Sequence, residues 1–229
     1  MKANEDNDIY NIKYKYPLTE KNQKKPKNTS ETINCFLLGN SKVGKSSFIR
    51  CLLEKDITQM ISTLGIDVQR FISQVNEKKV FIEIYDTGGL ERSSKTLLQF
   101  YYKNADCILL FYDVTNKESF DNINYWIKEI KEENEKEGKY TLFLIGNKID
   151  NNENRVVEKK VAKKLAETNN IKYFECSCLN KINIFEILNE IALLANKKEL
   201  KNNEDNEDNE KEVLFLKKIK ENNIRKKCC

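Results

Sequence analysis

The chain has 229 residues and a net charge of +4, a balance too weak to argue for nucleic acid as a partner. It contains no histidine, which excludes histidine acid–base chemistry and histidine metal ligation. Seven cysteines at scattered positions, with no disulfide-type spacing and no signal peptide, are read as reduced thiols in cytosol. The longest apolar run, Cys107 to Tyr112, is far too short to span a bilayer.

Residues 1–31 are polar, rich in Lys and Asn, and without sustained periodicity, and are read as a mobile extension. Residues 32–196 carry the pattern of one globular domain. Ile33 to Leu38 is an apolar strand. Gly39-Asn40-Ser41-Lys42-Val43-Gly44-Lys45-Ser46 follows it, then the apolar start of a helix at Phe48, Ile49, Leu52 and Leu53. A glycine loop between strand and helix is the context of a phosphate-binding P-loop. Its N–H groups form a concave donor surface for an anion. Gly39, Ser41, Val43, Gly44, Lys45, Ser46 and Ser47 are the phosphate-binding candidates. Lys45 supplies a point charge for the outer phosphates, and the Ser46 hydroxyl a hard ligand for Mg²⁺.

Residues 54–62 read as loop. Thr63 in Thr63-Leu64-Gly65 is a second hydroxyl candidate for Mg²⁺ and the γ-phosphate. Val68 to Val75 and Val80 to Tyr85 predict a strand pair. Asp86-Thr87-Gly88-Gly89 ends the second strand; Asp86 is placed to hold Mg²⁺ through a water, and the Gly89 N–H to meet a γ-phosphate. Ala105 to Tyr112 predicts a strand ending at Asp113. Phe120, Ile123, Ile127 and Ile130 have helical spacing, with Trp126 read as packing. Tyr140 to Ile145 predicts a strand ending at Gly146-Asn147-Lys148.

In Asn147-Lys148-Ile149-Asp150, the Asp150 carboxylate suits the N1–H and N2–H₂ donors of guanine. Adenine would leave that charge unpaired. The Lys148 stem suits the base plane, and Asn147 suits bracing the loops. Val157, Val161 and Leu165 predict a helix, Ile171 to Cys176 a strand, and Ile184, Leu188, Ile191 and Ala195 a last helix. Strands alternating with helices predict an α/β fold, a doubly wound, mostly parallel six-stranded sheet with helices on both faces. Ligands of such sheets sit at the strand C-termini, where every motif above falls. Residues 197–229 read as a flexible tail: an acidic run from Glu204 to Glu212, an apolar patch Val213–Leu216, then Lys217, Lys218, Lys220, Arg225, Lys226 and Lys227 before Cys228-Cys229.

This ordered set, Gly39–Ser46, Thr63, Asp86–Gly89, Asn147–Asp150 and Ser177, resembles a Ras-superfamily GTPase. The Rab branch is the nearest in pattern: Ser62-Thr63-Leu64-Gly65-Ile66-Asp67, Tyr101-Tyr102-Lys103-Asn104-Ala105, Tyr112-Asp113-Val114-Thr115 with Ser119-Phe120, and the double cysteine all resemble Rab sequences. The resemblance covers residues 33–196 and the C-terminal pair. It implies a GTP/GDP switch with Mg²⁺ in vesicle traffic. The implied partners are an exchange factor, an activating protein, effectors, an escort protein and a dissociation inhibitor. It also implies geranylgeranyl groups on Cys228 and Cys229, docking on the cytoplasmic face of an intracellular membrane, and cycling with the cytosol.

Several residues depart from the Rab pattern. Leu90 stands where the family has the glutamine that orients the attacking water, which implies slow intrinsic hydrolysis. Lys42 replaces a loop glycine and is strained if the loop needs positive φ there. Ile57 falls near the position of the aromatic that covers guanine. Cys178-Leu179 stands where Ala-Lys follows Ser177; the Cys178 N–H remains available in principle for the guanine carbonyl, whereas Leu179 cannot copy a lysine. The alternative reading is a GTP-bound, membrane-docked scaffold with no hydrolysis cycle. A P-loop ATPase or nucleotide kinase is disfavoured by Asp150 and by the lack of a lid sequence.

Overall fold

Among the described residues, six strands form one sheet in the order β2-β3-β1-β4-β5-β6. The computed structural model describes residues 32–57, 67–75, 78–86, 88, 103–134, 140–196 and 198. The strands are β1 (Thr32–Leu38), β2 (Asp67–Val75), β3 (Lys78–Asp86), β4 (Cys107–Asp113), β5 (Thr141–Asn147) and β6 (Lys172–Glu175). Among these six strands only β2 and β3 pair antiparallel, Val75 opposite Lys78 at the hairpin end; their other pairings are parallel. The helices among the described residues are α1 (Lys45–Leu52), α2 (Lys117–Asn134), α3 (Lys159–Asn169) and α4 (Ile184–Ala192), with a 3₁₀ segment at Ile149–Asn154.

The side-chain period of two splits the central strands between two cores. Cys35, Leu37, Leu109, Phe111, Phe143 and Ile145 face a core shared with Phe48, Leu52, Ile187 and Ile191 of α1 and α4. Phe36, Leu38, Ile108, Leu110, Tyr112 and Leu144 face a second core, shared with Ile123, Trp126 and Ile130 of α2 and Ala162 and Ala166 of α3. A strand buried on both faces reads as a continuous apolar run, which is why β4 is buried at every residue. The buried Cys35 of β1 and Cys107 of β4 are free thiols.

One helix stripe differs from expectation. Val161 is 46% exposed, Val157 is buried but precedes α3, and the buried positions of the helix are Ala162 and Ala166. The small alanines let α3 lie close to the sheet, and they were invisible to a search for large apolar residues. Ile57, which falls near the position of the family's base-covering aromatic, is partly buried against the first core.

Candidate functional site

The loops after β1, β3, β4 and β5 meet at one end of the sheet. The loop after β1 turns through Gly39 (φ 137°), Lys42 (φ 66°) and Gly44 (φ 105°) into α1. A Cβ at Gly39 would lie 2.3 Å from the Phe111 carbonyl oxygen, and one at Gly44 would lie 2.0 Å from Asn147 Nδ2. Only glycine fits either place. Gly44 is the N-cap of α1 and makes no side-chain cap to its first turn; a helix N-terminus reached through a glycine loop is the kind of place where an anion binds. Buried Lys45 donates from Nζ to Gly39 O (2.6 Å) and Asn40 O (3.1 Å), which holds its ammonium against the loop. Ser46 Oγ donates to Asp86 Oδ2, and the Gly88 N–H donates to Asp86 Oδ1 at 3.2 Å. A hydroxyl and a buried carboxylate side by side are hard oxygen donors of the kind Mg²⁺ takes, so these residues fit that ion.

Asn147, buried at the end of β5, joins the two halves of the site. Its Nδ2 donates to Val43 O at 3.0 Å, and its Oδ1 accepts from the Cys178 N–H at 3.2 Å. The Cys178 N–H, expected to be available for a base carbonyl, is engaged by Asn147 in this structure. The sequence did not reveal this because the two residues are brought together only by the parallel β5–β6 pairing. Asp150 Oδ1 accepts from Ser177 Oγ, which in turn accepts from the Asn180 N–H at 3.0 Å. Ser177 pairs with Ile182 in an antiparallel bridge, so a tight turn presents it. The exposed carboxylate of Asp150 is oriented by a fully buried hydroxyl and keeps further acceptor sites.

Lys148 takes φ 70°, and its Nζ lies 2.6 Å from Asp113 Oδ2. Asp113 received no chemical role from the sequence; the Tyr112-Asp113-Val114-Thr115 motif was its only signal. A hydrogen bond with Cys178 and burial push the Cys176 thiol up, and burial pushes the Cys51 thiol up. Both are buried, free thiols. Leu179 is 58% exposed, and no contact here gives it a lysine's role.

The structure therefore brings together Gly39, Gly44, Lys45, Ser46, Asp86, Asn147, Lys148, Asp150, Ser177 and Cys178. Ser41, Val43 and Ser47 lie in the same loop and helix start. Thr63, Gly89, Leu90, Cys228 and Cys229 lie outside the described residues.

The sequence pattern of the Ras family matches residues 34–202. Ras-related protein Rab-13 of Bos taurus is 39% identical over 172 residues, covering 73% of this chain and 83% of that protein. Ras-related protein Rab-26 of Rattus norvegicus is 39% identical over 171 residues, covering 72% of this chain and 62% of that protein, so this chain spans less than two thirds of it. Ras-related protein Rab-8B of Bos taurus is 36% identical over 167 residues, covering 71% of this chain and 79% of that protein. The match takes in the whole of the site built above, from the loop after β1 to the turn after β6. The chain belongs to the Ras family and is a Rab-type small GTPase.

Proposed function

We propose that this protein is a guanine-selective GTP/GDP switch in vesicle traffic whose unaided hydrolysis is slow. The observation that carries the reading is the bridge through Asn147, which ties Val43 of the phosphate loop to Cys178 of the turn beside Asp150. Lys45 and the loop N–H groups of Gly39 through Ser47 hold phosphates. Ser46, Thr63 and, through a water, Asp86 suit Mg²⁺, which when bound supplies charge that neutralises the outer phosphates. The Gly89 N–H serves the γ-phosphate. Asp150 accepts from the guanine edge, Lys148 covers the base, and Ser177 fixes the Asp150 carboxylate.

Leu90 decides the rate. A glutamine amide accepts from the attacking water and donates toward developing charge. Leucine has similar size and no polar atom, so binding survives while hydrolysis slows. Activating proteins of the TBC type, understood to bring an arginine and a glutamine of their own, would still stimulate it. Single-turnover hydrolysis after GTP loading tests this. The Leu90→Gln variant is expected to hydrolyse unaided on the order of tenfold faster, the factor that about 1.4 kcal/mol of transition-state stabilisation gives, with nucleotide affinity little changed. Equal unaided rates overturn this reading of Leu90. A chain that stays GTP-bound even with activating proteins supports the membrane-docked scaffold instead.

Geranylgeranyl groups on Cys228 and Cys229 hold the protein on the cytoplasmic face of an intracellular membrane, since one lipid chain anchors only marginally. The basic residues from Lys217 to Lys227 add about 1 kcal/mol each near an anionic surface. An escort protein and a dissociation inhibitor serve this lipid cycle, while exchange factor, activating protein and effectors serve the nucleotide cycle. Removal of Cys228 and Cys229 is expected to shift the protein from membranes to the soluble fraction; unchanged partitioning contradicts the lipid anchor.

A further inference from the structure

We infer that Asp113 is a positioning residue for the guanine subsite, acting through Lys148; this rests on the reading of Asn147–Asp150 as the base loop. Asp113 closes β4 and lies level with Asn147 in the β4–β5 register, one residue before Lys148. Its two carboxylate oxygens are divided between two tasks. Oδ1 accepts from the Thr115 N–H (2.9 Å) and the Thr115 hydroxyl (2.7 Å), which folds the turn after β4. Oδ2 lies 2.6 Å from the Lys148 ammonium.

The turn itself is anchored. Ser119 Oγ accepts from the Asp113 N–H at 3.0 Å and donates to Asn116 O at 2.7 Å. The Val114 N–H donates to Asn147 O at 3.0 Å. The carboxylate is therefore fixed relative to the base loop, and it is only 9% exposed against 38% for Lys148. A lysine stem left free in water loses rotamer freedom when a ring is laid against it. A stem already pinned at its ammonium has less to lose. Pinning costs Lys148 no charge and leaves its methylenes for the base plane. This gives chemical content to the Asp113, Thr115 and Ser119 positions of a motif that otherwise had only a family resemblance.

The structural task of Oδ1 and the positioning task of Oδ2 are separable. Asp113→Asn retains one carbonyl oxygen for Thr115 and loses the charge that holds Lys148. Lys148→Met retains an unbranched apolar stem and loses the same pair. The experiment loads the full chain with a fluorescent GDP analogue and follows its release against excess GDP in both single variants and in the double variant.

If Asp113 acts through Lys148, each single change speeds release by about fivefold to tenfold, the worth of a partly exposed, charge-assisted contact. The double variant then releases no faster than the singles. Release unchanged in Asp113→Asn, or single effects that multiply in the double variant, overturns the inference. Should Asp113→Asn not fold, the salt dependence of release decides. Unmodified protein should release faster in high salt by a larger factor than Lys148→Met, because screening weakens the pair only where it exists; equal factors overturn the inference. Equal retention of a fluorescent ADP analogue by the unmodified protein would undo the guanine-site reading itself. Firm GDP retention with no effect of Asp113→Asn would undo only the role of Asp113.

Discussion

Lys42 and Gly44 show how closely the phosphate loop is specified. Lys42 holds φ 66° with a Cβ, a conformation that costs about 1–2 kcal/mol in a non-glycine residue. Glycine would relieve that cost but lose about 0.5–1 kcal/mol to its freer unfolded chain. The net expectation for Lys42→Gly is a stabilisation of up to about 1 kcal/mol, or a rise of about 2–4 °C in melting temperature; a fall in melting temperature contradicts the strain. Gly44 is the opposite case. An alanine Cβ there would meet Asn147 Nδ2, the atom that donates to Val43 O. Gly44→Ala should therefore disturb phosphate and base loops together and weaken nucleotide binding by at least about tenfold, a loss of about 1.4 kcal/mol, measurable by titration calorimetry. The residue types of the site were legible because P-loop and guanine chemistry demand particular groups at fixed spacing. The engagement of the Cys178 N–H by Asn147 was not, since it depends on a packing distance between strands.

At the scale of elements, the base loop is delivered by β5 and held from below by the 3₁₀ segment and β6. Arg155 follows the 3₁₀ segment and grips Glu175 of β6 with two nitrogens, Nη1 to Oε1 at 2.8 Å and Nη2 to Oε2 at 3.3 Å. Both side chains are largely buried, 18% and 8% exposed. Their hydrogen bond raises the Arg155 pKa, so the guanidinium stays charged throughout. Tyr173 OH donates to the same Oε1 at 2.7 Å. Losing one partner leaves the other charge buried and unpaired. Arg155→Met is thus expected to cost about 2–3 kcal/mol, read from the midpoint of urea unfolding; a loss under about 0.5 kcal/mol, typical of surface pairs, contradicts this role. Neither the 3₁₀ segment nor this ion pair was legible in sequence. Both belong to polar residues with no periodicity, and their partners are distant in the chain. The helices and strands were legible wherever large apolar residues recur at period two or near four. In α3, Ala162 and Ala166 line the contact beside Leu165, and Val161 of the predicted stripe is exposed.

Across the whole molecule, the alternation of β1, β4 and β5 between two cores dictates a sheet covered on both faces, and that was readable before any coordinate. Closing those cores traps polar groups. Burial is the first cause pushing the phenols of Tyr85, Tyr112 and Tyr140 from 10.0 up to about 12. The unfolded chain then ionises first as pH rises. The stability these groups contribute is full below pH 10.0 and is lost as pH climbs through about 12. Urea midpoints should hold steady up to about pH 10.0 and fall from there through about 12, with a shallower fall in Tyr112→Phe; identical alkaline slopes contradict burial as the cause. The central claim, a site that selects guanine, is tested most directly by equilibrium competition between GTP and ATP for the full chain with Mg²⁺. The account predicts a preference for GTP of about 10⁴-fold, the discrimination of a site built to hydrogen-bond one base edge, whose carboxylate the wrong base leaves unpaired beneath it. It further predicts that Asp150→Asn moves the preference toward xanthine nucleotides, because an amide can donate to the 2-carbonyl. Equal affinity of the unmodified protein for ATP and GTP would contradict it.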